Sequence, residues 1–307
     1  MPCAGDSIIP PPMPTRYTRL FLLLILAVVL VACGRKKDEA TPVATPSLKL
    51  SRTEASIGSP IDMTYRFVMA PNAPALTEDY TVFVHVLDAD REQLWGDDHR
   101  PPTPTREWKP GSTIEYTRTM FVPKFPYVGD AQIEVGLYAP KTGERVPLAG
   151  ENSGDRSIRV ASFAIRLAAE SYFVVFKNGW YDAEVTDTAS GNGWQWSKKQ
   201  GNLSFRNPKR DTLLMIQLDQ PAMAFAQPQQ VEIRAGQALV DSFPLAAGLP
   251  ELRRISLTPQ QLGAGENVDM SIVVDKTFVP ASVPQLKSLD SRELGLRVFH
   301  VFVEPKQ

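Results

Sequence analysis

From about residue 48 onward, apolar residues recur at every second position, and prolines interrupt the chain before any such run grows long. Ile61, Met63, Tyr65 and Phe67 alternate with Asp62, Thr64, Arg66 and Val68. A period of two puts alternate side chains on opposite sides of an extended backbone, so this segment reads as a strand with one buried face. Residues 80–87 are apolar on both faces, with His85 among them, which suits a central strand. The alternation continues through Ile114, Tyr116 and Met120, through Ile133, Val135 and Leu137, and through Ile158, Val160 and Ile165. Pro101, Pro102, Pro104, the pair Pro110-Gly111, Pro123 and Pro126 punctuate these runs. With 27 prolines and few long helical patterns, the chain is confined to short strands joined by turns.

The second half follows the same rule. Residues 172–176 form a short run, and a loop of Asp187, Ser190, Gly191, Asn192 and Gly193 leads into Trp194-Gln195-Trp196. Leu214, Ile216 and Leu218 share a face, as do Val231 and Ile233, and then Met270, Ile272 and Val274. Residues 238–243 add a strand before Pro244. In the last run Leu296, Val298, His300 and Phe302 alternate against Arg297, Phe299, Val301 and Val303. The two halves share no motif or period, so no internal duplication is expected. The expected fold class is all-β, with two β-sandwiches. Residues 48–167, with about seven strands in roughly 120 residues, have the spacing of an immunoglobulin-like or fibronectin-like sandwich. Residues 168–307 are expected to form a jelly-roll-like one.

Ahead of them lies a different kind of segment. Arg16 and Arg19 precede 13 apolar residues at 20–32, then Cys33. A membrane-spanning helix needs about 20 apolar residues, so a basic region followed by this shorter run reads as a signal sequence. Leu30-Val31-Ala32-Cys33 resembles the lipobox of bacterial lipoproteins. The resemblance implies cleavage after Ala32 and a Cys33 carrying a diacylglycerol thioether and an N-acyl chain. Residues 1–32 are then a signal peptide, and 33–47 a polar tether rich in Lys, Thr and Pro. Gly34, in place of Asp, resembles lipoproteins that reach the outer membrane, facing the periplasm or the surface.

Cleavage of 32 of the 307 residues removes Arg16, Arg19 and Asp6, so 33 basic and 34 acidic residues become 31 and 33. A formal charge of −2 excludes a nucleic-acid binder by charge. Cys3 leaves with the signal, so Cys33 is the sole remaining cysteine; thiolate catalysis and metal-thiolate clusters are excluded if it is acylated.

No nucleophile elbow, zinc-protease motif, phosphate loop or dinucleotide fingerprint is present. No catalytic residue and no cofactor is expected. His85 and His300 lie inside strand patterns and read as packed or hydrogen-bonded. Asp97, Asp98 and His99 offer oxygen and nitrogen ligands for a cation; the simpler alternative is a turn whose carboxylates accept backbone N–H groups and pair with Arg100. Trp194 and Trp196, at i and i+2, form either a buried aromatic wall or a platform for a sugar ring. Trp180 and Tyr181 are further ligand-binding candidates, with Asn192, Gln195, Asn202 and Arg206 as polar neighbours able to read hydroxyls. The run from Asp290 to Gly295 reads as a polar site or as an Arg-carboxylate clamp on the final strand.

Two sets of motifs carry a further resemblance. Phe83-Val84-His85-Val86-Leu87-Asp88, the run from Asp97 to Thr105, Trp108-Lys109-Pro110-Gly111, Gly136-Leu137-Tyr138 and Thr142-Gly143-Glu144-Arg145 resemble extracytoplasmic β-sandwich modules of bacterial membrane glycosyltransferases, and uncharacterised lipoproteins. Gly179-Trp180-Tyr181, Trp194-Gln195-Trp196, Thr277-Phe278-Val279-Pro280 and Asp290-Ser291-Arg292-Glu293-Leu294-Gly295 are similar to accessory sandwiches of proteins that build surface glycans. The resemblance implies a non-enzymatic, lipid-anchored envelope protein whose partners are the bilayer and an envelope glycan or protein. A carbohydrate-active hydrolase using paired carboxylates, and a structural subunit of an envelope assembly, are the alternatives.

Overall fold

A computed structural model describes residues 40–123, 127–167, 173–185, 193–220 and 224–306. The lipobox, Cys33 and the expected domain boundary at 167/168 lie outside or at the edge of these residues. Residues 42–307 form one compact unit holding two separate hydrophobic cores. Among the described residues no helix is long and apolar enough to cross a membrane.

The first core lies between two sheets. One is β1 (Ala44–Leu50), β3 (Pro60–Met69) and β6 (Thr113–Phe121), in that order. The other runs β2 (Glu54–Ser56), β9 (Ser157–Arg166), β7 (Gly129–Tyr138), β4 (Thr81–Leu87) and β5 (Gln93–Gly96), with β8 (Glu151–Gly154) paired to β9. All pairings are antiparallel except β2 with β9. This three-against-six arrangement has the immunoglobulin/fibronectin pattern. Ile61, Met63, Tyr65 and Phe67 of β3 are buried, packed in one core with Val82, Val84 and Val86 of β4 and with Ile133, Val135 and Leu137 of β7. β4 is paired on both sides, as its two apolar faces require.

The short strands β2 and β8 bury one residue each, which is why no alternation announces them. β1 begins inside the stretch read as tether: Val43 and Ala44 are buried, and the Val43 N–H donates to the Pro147 carbonyl at 2.9 Å. In β9 the expected phase breaks between Ile158 and Ile165. A bulge there pairs Ile133 with Ala161 but Glu134 with Arg159, so both isoleucines face inward although seven positions separate them.

The second core lies between two five-stranded sheets. One is β10 (Val175–Phe176), β13 (Gln200–Arg206), β18 (Asn267–Val274), β15 (Gln229–Ala235) and β16 (Ala238–Leu245). The other is β11 (Glu184–Val185), β12 (Gly193–Trp196), β19 (Arg297–Pro305), β14 (Thr212–Asp219) and β17 (Glu251–Leu257). Numbering β12 to β19 as one to eight, the sheets read 1-8-3-6 and 2-7-4-5, which is the jelly roll. A one-turn helix α1 (Pro259–Leu262) closed by a Thr258–Gln261 capping box joins β17 to β18. β16 runs on through Pro244, which an edge strand tolerates because one row of its backbone groups has no ladder partner.

The last strand departs from its expected phase. Gln217 pairs with His300 but Leu218 with Val298, so Phe299 is an extra residue. Beyond this bulge the faces exchange: Val301 and Val303 pack on the core, whereas His300 and Phe302 turn to the outer face. His300 does not share the inward face of Val298; its ring stacks on Phe121 of the first sandwich at 4.3 Å and 8°.

That stack belongs to a joint between the sandwiches. The Arg254 Nη2 donates to Asp62 Oδ1 at 2.5 Å and to Thr119 Oγ1 at 2.7 Å, and Arg52 reaches Glu304 at 3.0 Å. Ser51, Pro60, Leu213 and Met215 line the crevice between these two ion pairs.

Candidate functional site

In antiparallel strands, residues in register carry their side chains on the same face. Trp196 pairs with Arg297, and Arg297 pairs with Asp219. Leu296 and Val298 fill the core, so Trp196, Arg297 and Asp219 lie on the outer face of their sheet, joined by Trp194 two positions earlier. The Arg297 Nε and Nη2 donate to both oxygens of Asp219 at 2.7 and 2.5 Å, a two-pronged pair that compensates a carboxylate only 2% exposed. The Arg297 guanidinium carbon sits 5.1 Å from the Trp194 ring, 5.6 Å from Trp196 and 5.4 Å from Phe299. Asp219 holds the cation, and the cation in turn orders three aromatic rings by attraction to their faces.

The two tryptophans differ in use. Trp196, 8% exposed, is covered by Phe278 at 5.7 Å and packs with Leu294; it is the buried wall. Trp194 is half-buried, 6.1 Å from Phe299, with an Nε1 that is shielded from solvent and has no acceptor among the described residues. Tyr181 joins this cluster, its hydroxyl donating to the Glu293 carbonyl at 3.0 Å with Lys198 and Arg292 beside its ring. Trp180 does not. It packs on the jelly-roll core against Phe176, lies over Gly201, and donates from Nε1 to the Asn202 carbonyl at 2.8 Å.

The polar neighbours do not gather around Trp194. Gln195 donates to the Tyr181 carbonyl, Asn202 is bonded to Asn178 and Gln200, and Arg206 ends β13 opposite Asn267. Asn192 lies outside the described residues. Neither Arg297 nor Asp219 is a site candidate from the sequence, where each occupies the polar phase of an apolar strand. The signal was their strand position, but which acid meets which base depends on the register.

Asp97, Asp98 and His99 diverge. Asp98 accepts the Val84 N–H at 3.1 Å, Asp97 pairs with Arg118 at 3.3 Å, and His99 is held between the Asp97 carbonyl at 2.8 Å and the Tyr116 hydroxyl at 2.9 Å. Arg118 of β6, not the adjacent Arg100, supplies the cation, because β6 runs beside this turn. Among the described residues no group of three His, Cys, Asp or Glu side chains is placed to hold a metal. Burial pushes the Asp97 carboxyl up, against the pull of Arg118. Burial, aided by Arg118, lowers His99 to about 4.

His85 is half-buried beside the Phe83 ring at 4.9 Å, and burial lowers its pKa. The run from Asp290 is a clamp: Arg292 holds Asp290 at 2.7 Å and Glu184 of β11 at 2.8 Å. The hydrogen bonds from Arg292 keep the Asp290 carboxyl below its usual range. The fully buried acids among the described residues, Glu134 and Asp219, belong to different sandwiches, and each is held by an arginine.

No protein-family model and no curated protein matches the chain. Among solved structures, the β-glucuronidase of Bacteroides uniformis aligns with 85% of this chain and 30% of its own, at 10% identity and a TM-score of 0.30. The chain therefore spans less than a third of the length of that protein.

Proposed function

We propose that this is a non-enzymatic, lipid-anchored protein of the bacterial envelope, whose jelly-roll outer face binds an envelope glycan. The observation that carries this reading is the Trp194, Arg297 and Phe299 face, a half-buried aromatic set fixed by the Asp219 pair before any ligand arrives. A rigid ring costs little ordering entropy on binding and offers a π-face to the C–H groups of a sugar. Cys33 supplies the anchor.

The test is a glycan array probed with the wild type, Trp194→Ala and Trp196→Ala. Trp194→Ala is expected to weaken binding by about tenfold with little change in melting temperature. Trp196→Ala removes a buried wall and is expected to cost about 3 to 5 kcal/mol of stability. Undiminished glycan binding in a folded Trp194→Ala protein rules out this face as the site. Mass spectrometry of the Cys33 peptide tests the anchor independently.

A further inference from the structure

Strand register places several loops at one end of the jelly roll. β16 ends where Leu245 pairs with Gln229, and β17 begins where Glu251 pairs with Leu218. β18 ends where Val274 pairs with Val231, and β19 begins where Arg297 pairs with Asp219. The connections 246–250 and 275–296 thus emerge at the same end. The first is Ala246-Ala247-Gly248-Leu249-Pro250, without one polar side chain and exposed throughout, with Leu249 90% exposed. In the second, Leu289 is 98% exposed. These are the two most exposed large apolar side chains among the described residues.

Neither leucine hangs from slack chain. Loop 246–250 is a short link between two paired strands. Loop 275–296 is pinned below its tip by reciprocal Phe278–Leu294 backbone bonds, by the Ala281 N–H on the Asp290 carbonyl at 2.8 Å, and by Val283 and Leu286 packed on the Trp196 cluster. Lys198, Lys199 and Lys287 are exposed at this end. Of the carboxylates here, Asp290, Glu251 and Asp275 are paired with Arg292, Arg253 and Lys276, and Glu293 is exposed and accepts the Thr277 hydroxyl. Isolated apolar loop residues suit a fluid surface that deforms around them, whereas a protein partner needs a continuous complementary face.

We infer that this end of the jelly roll dips into the interfacial zone of an anionic bilayer. Leu249 and Leu289 enter the boundary between headgroups and acyl chains, and the three lysines meet headgroup phosphates. The inference stands on the described loops alone and does not need Cys33 to be acylated.

Both cores close within residues 43–303, so the chain from residue 42 onward is the probe. It is sedimented with vesicles of phosphatidylcholine doped with phosphatidylglycerol. Binding is expected, weakened roughly tenfold or more by each of Leu249→Ser and Leu289→Ser, and reduced by salt. No binding, or binding indifferent to the double variant, overturns the inference. So does a dimer that the double variant abolishes in a protein that ignores vesicles, since the tips would then meet a second copy.

Discussion

The tautomer of His99 follows from its neighbours. A carbonyl oxygen only accepts, so Nδ1 must carry the proton given to Asp97, and Nε2 is left bare to accept the Tyr116 hydroxyl. A ring 7% exposed thus has both nitrogens satisfied while neutral, and protonation would place a charge beside Arg118. The folded ring resists protonation down to about pH 4, while the unfolded ring takes a proton below about pH 6.5. Stability should therefore fall as pH drops from 6.5 to about 4, by about 3 kcal/mol in total, and show no further loss from this residue below. Asp97 acts the other way, since a raised folded pKa removes stability as pH rises through the range just above its unfolded value. His99→Asn should flatten the stability profile between pH 4 and 6.5 in denaturant titrations; a slope equal to the wild type would refute the assignment. The sequence offers Asp97, Asp98 and His99 as cation ligands or as a turn paired with Arg100, but it does not supply Arg118 or Tyr116, which lie on another strand.

At the scale of elements, β13 shows how a weak pattern still makes a strand. Its alternation is diluted by Gly201 and Ser204, both buried, so no apolar period marks it. Gly201 is required for space: a Cβ there would come within 2.4 Å of the Trp180 ring. Gly201→Ala should push Trp180 from its seat and break its bond to the Asn202 carbonyl, costing about 1 to 3 kcal/mol. Thermal unfolding with tryptophan fluorescence reads this; an unshifted emission and midpoint would show that Trp180 has room to yield. β19 makes the complementary point. Its apolar residues predict a strand correctly, yet at Phe299 the face assignment inverts. Val301 and Val303 are as apolar as the residues expected inward, so the sequence alone had no means of choosing where the bulge would fall.

For the molecule as a whole, the joint decides whether two sandwiches behave as one body. Its ion pairs are more than a third exposed on at least one partner, so each contributes about 0 to 1 kcal/mol after solvent screening. The stability of each sandwich resides in its own core. Arg52→Ala combined with Arg254→Ala should leave each sandwich's stability within about 1 kcal/mol while loosening their docking. Calorimetry is expected to resolve two transitions, and solution scattering a larger radius of gyration, in the double variant. An unchanged scattering curve would show that the docking does not depend on these ion pairs and rests on contacts such as the Phe121–His300 stack.

The sequence determined that the chain is all-β, where most strands lie, and which of their faces are apolar, because a period of two is written in neighbouring residues. Tertiary structure decided what those strands do together. It set Trp196 as a wall beneath Phe278 and left Trp194 on the outer face with Arg297; it gave Asp97 to Arg118 and sent His300 outward. Each outcome depends on register between strands far apart in sequence, and a single extra residue in one strand is enough to reverse the face that the next side chain meets.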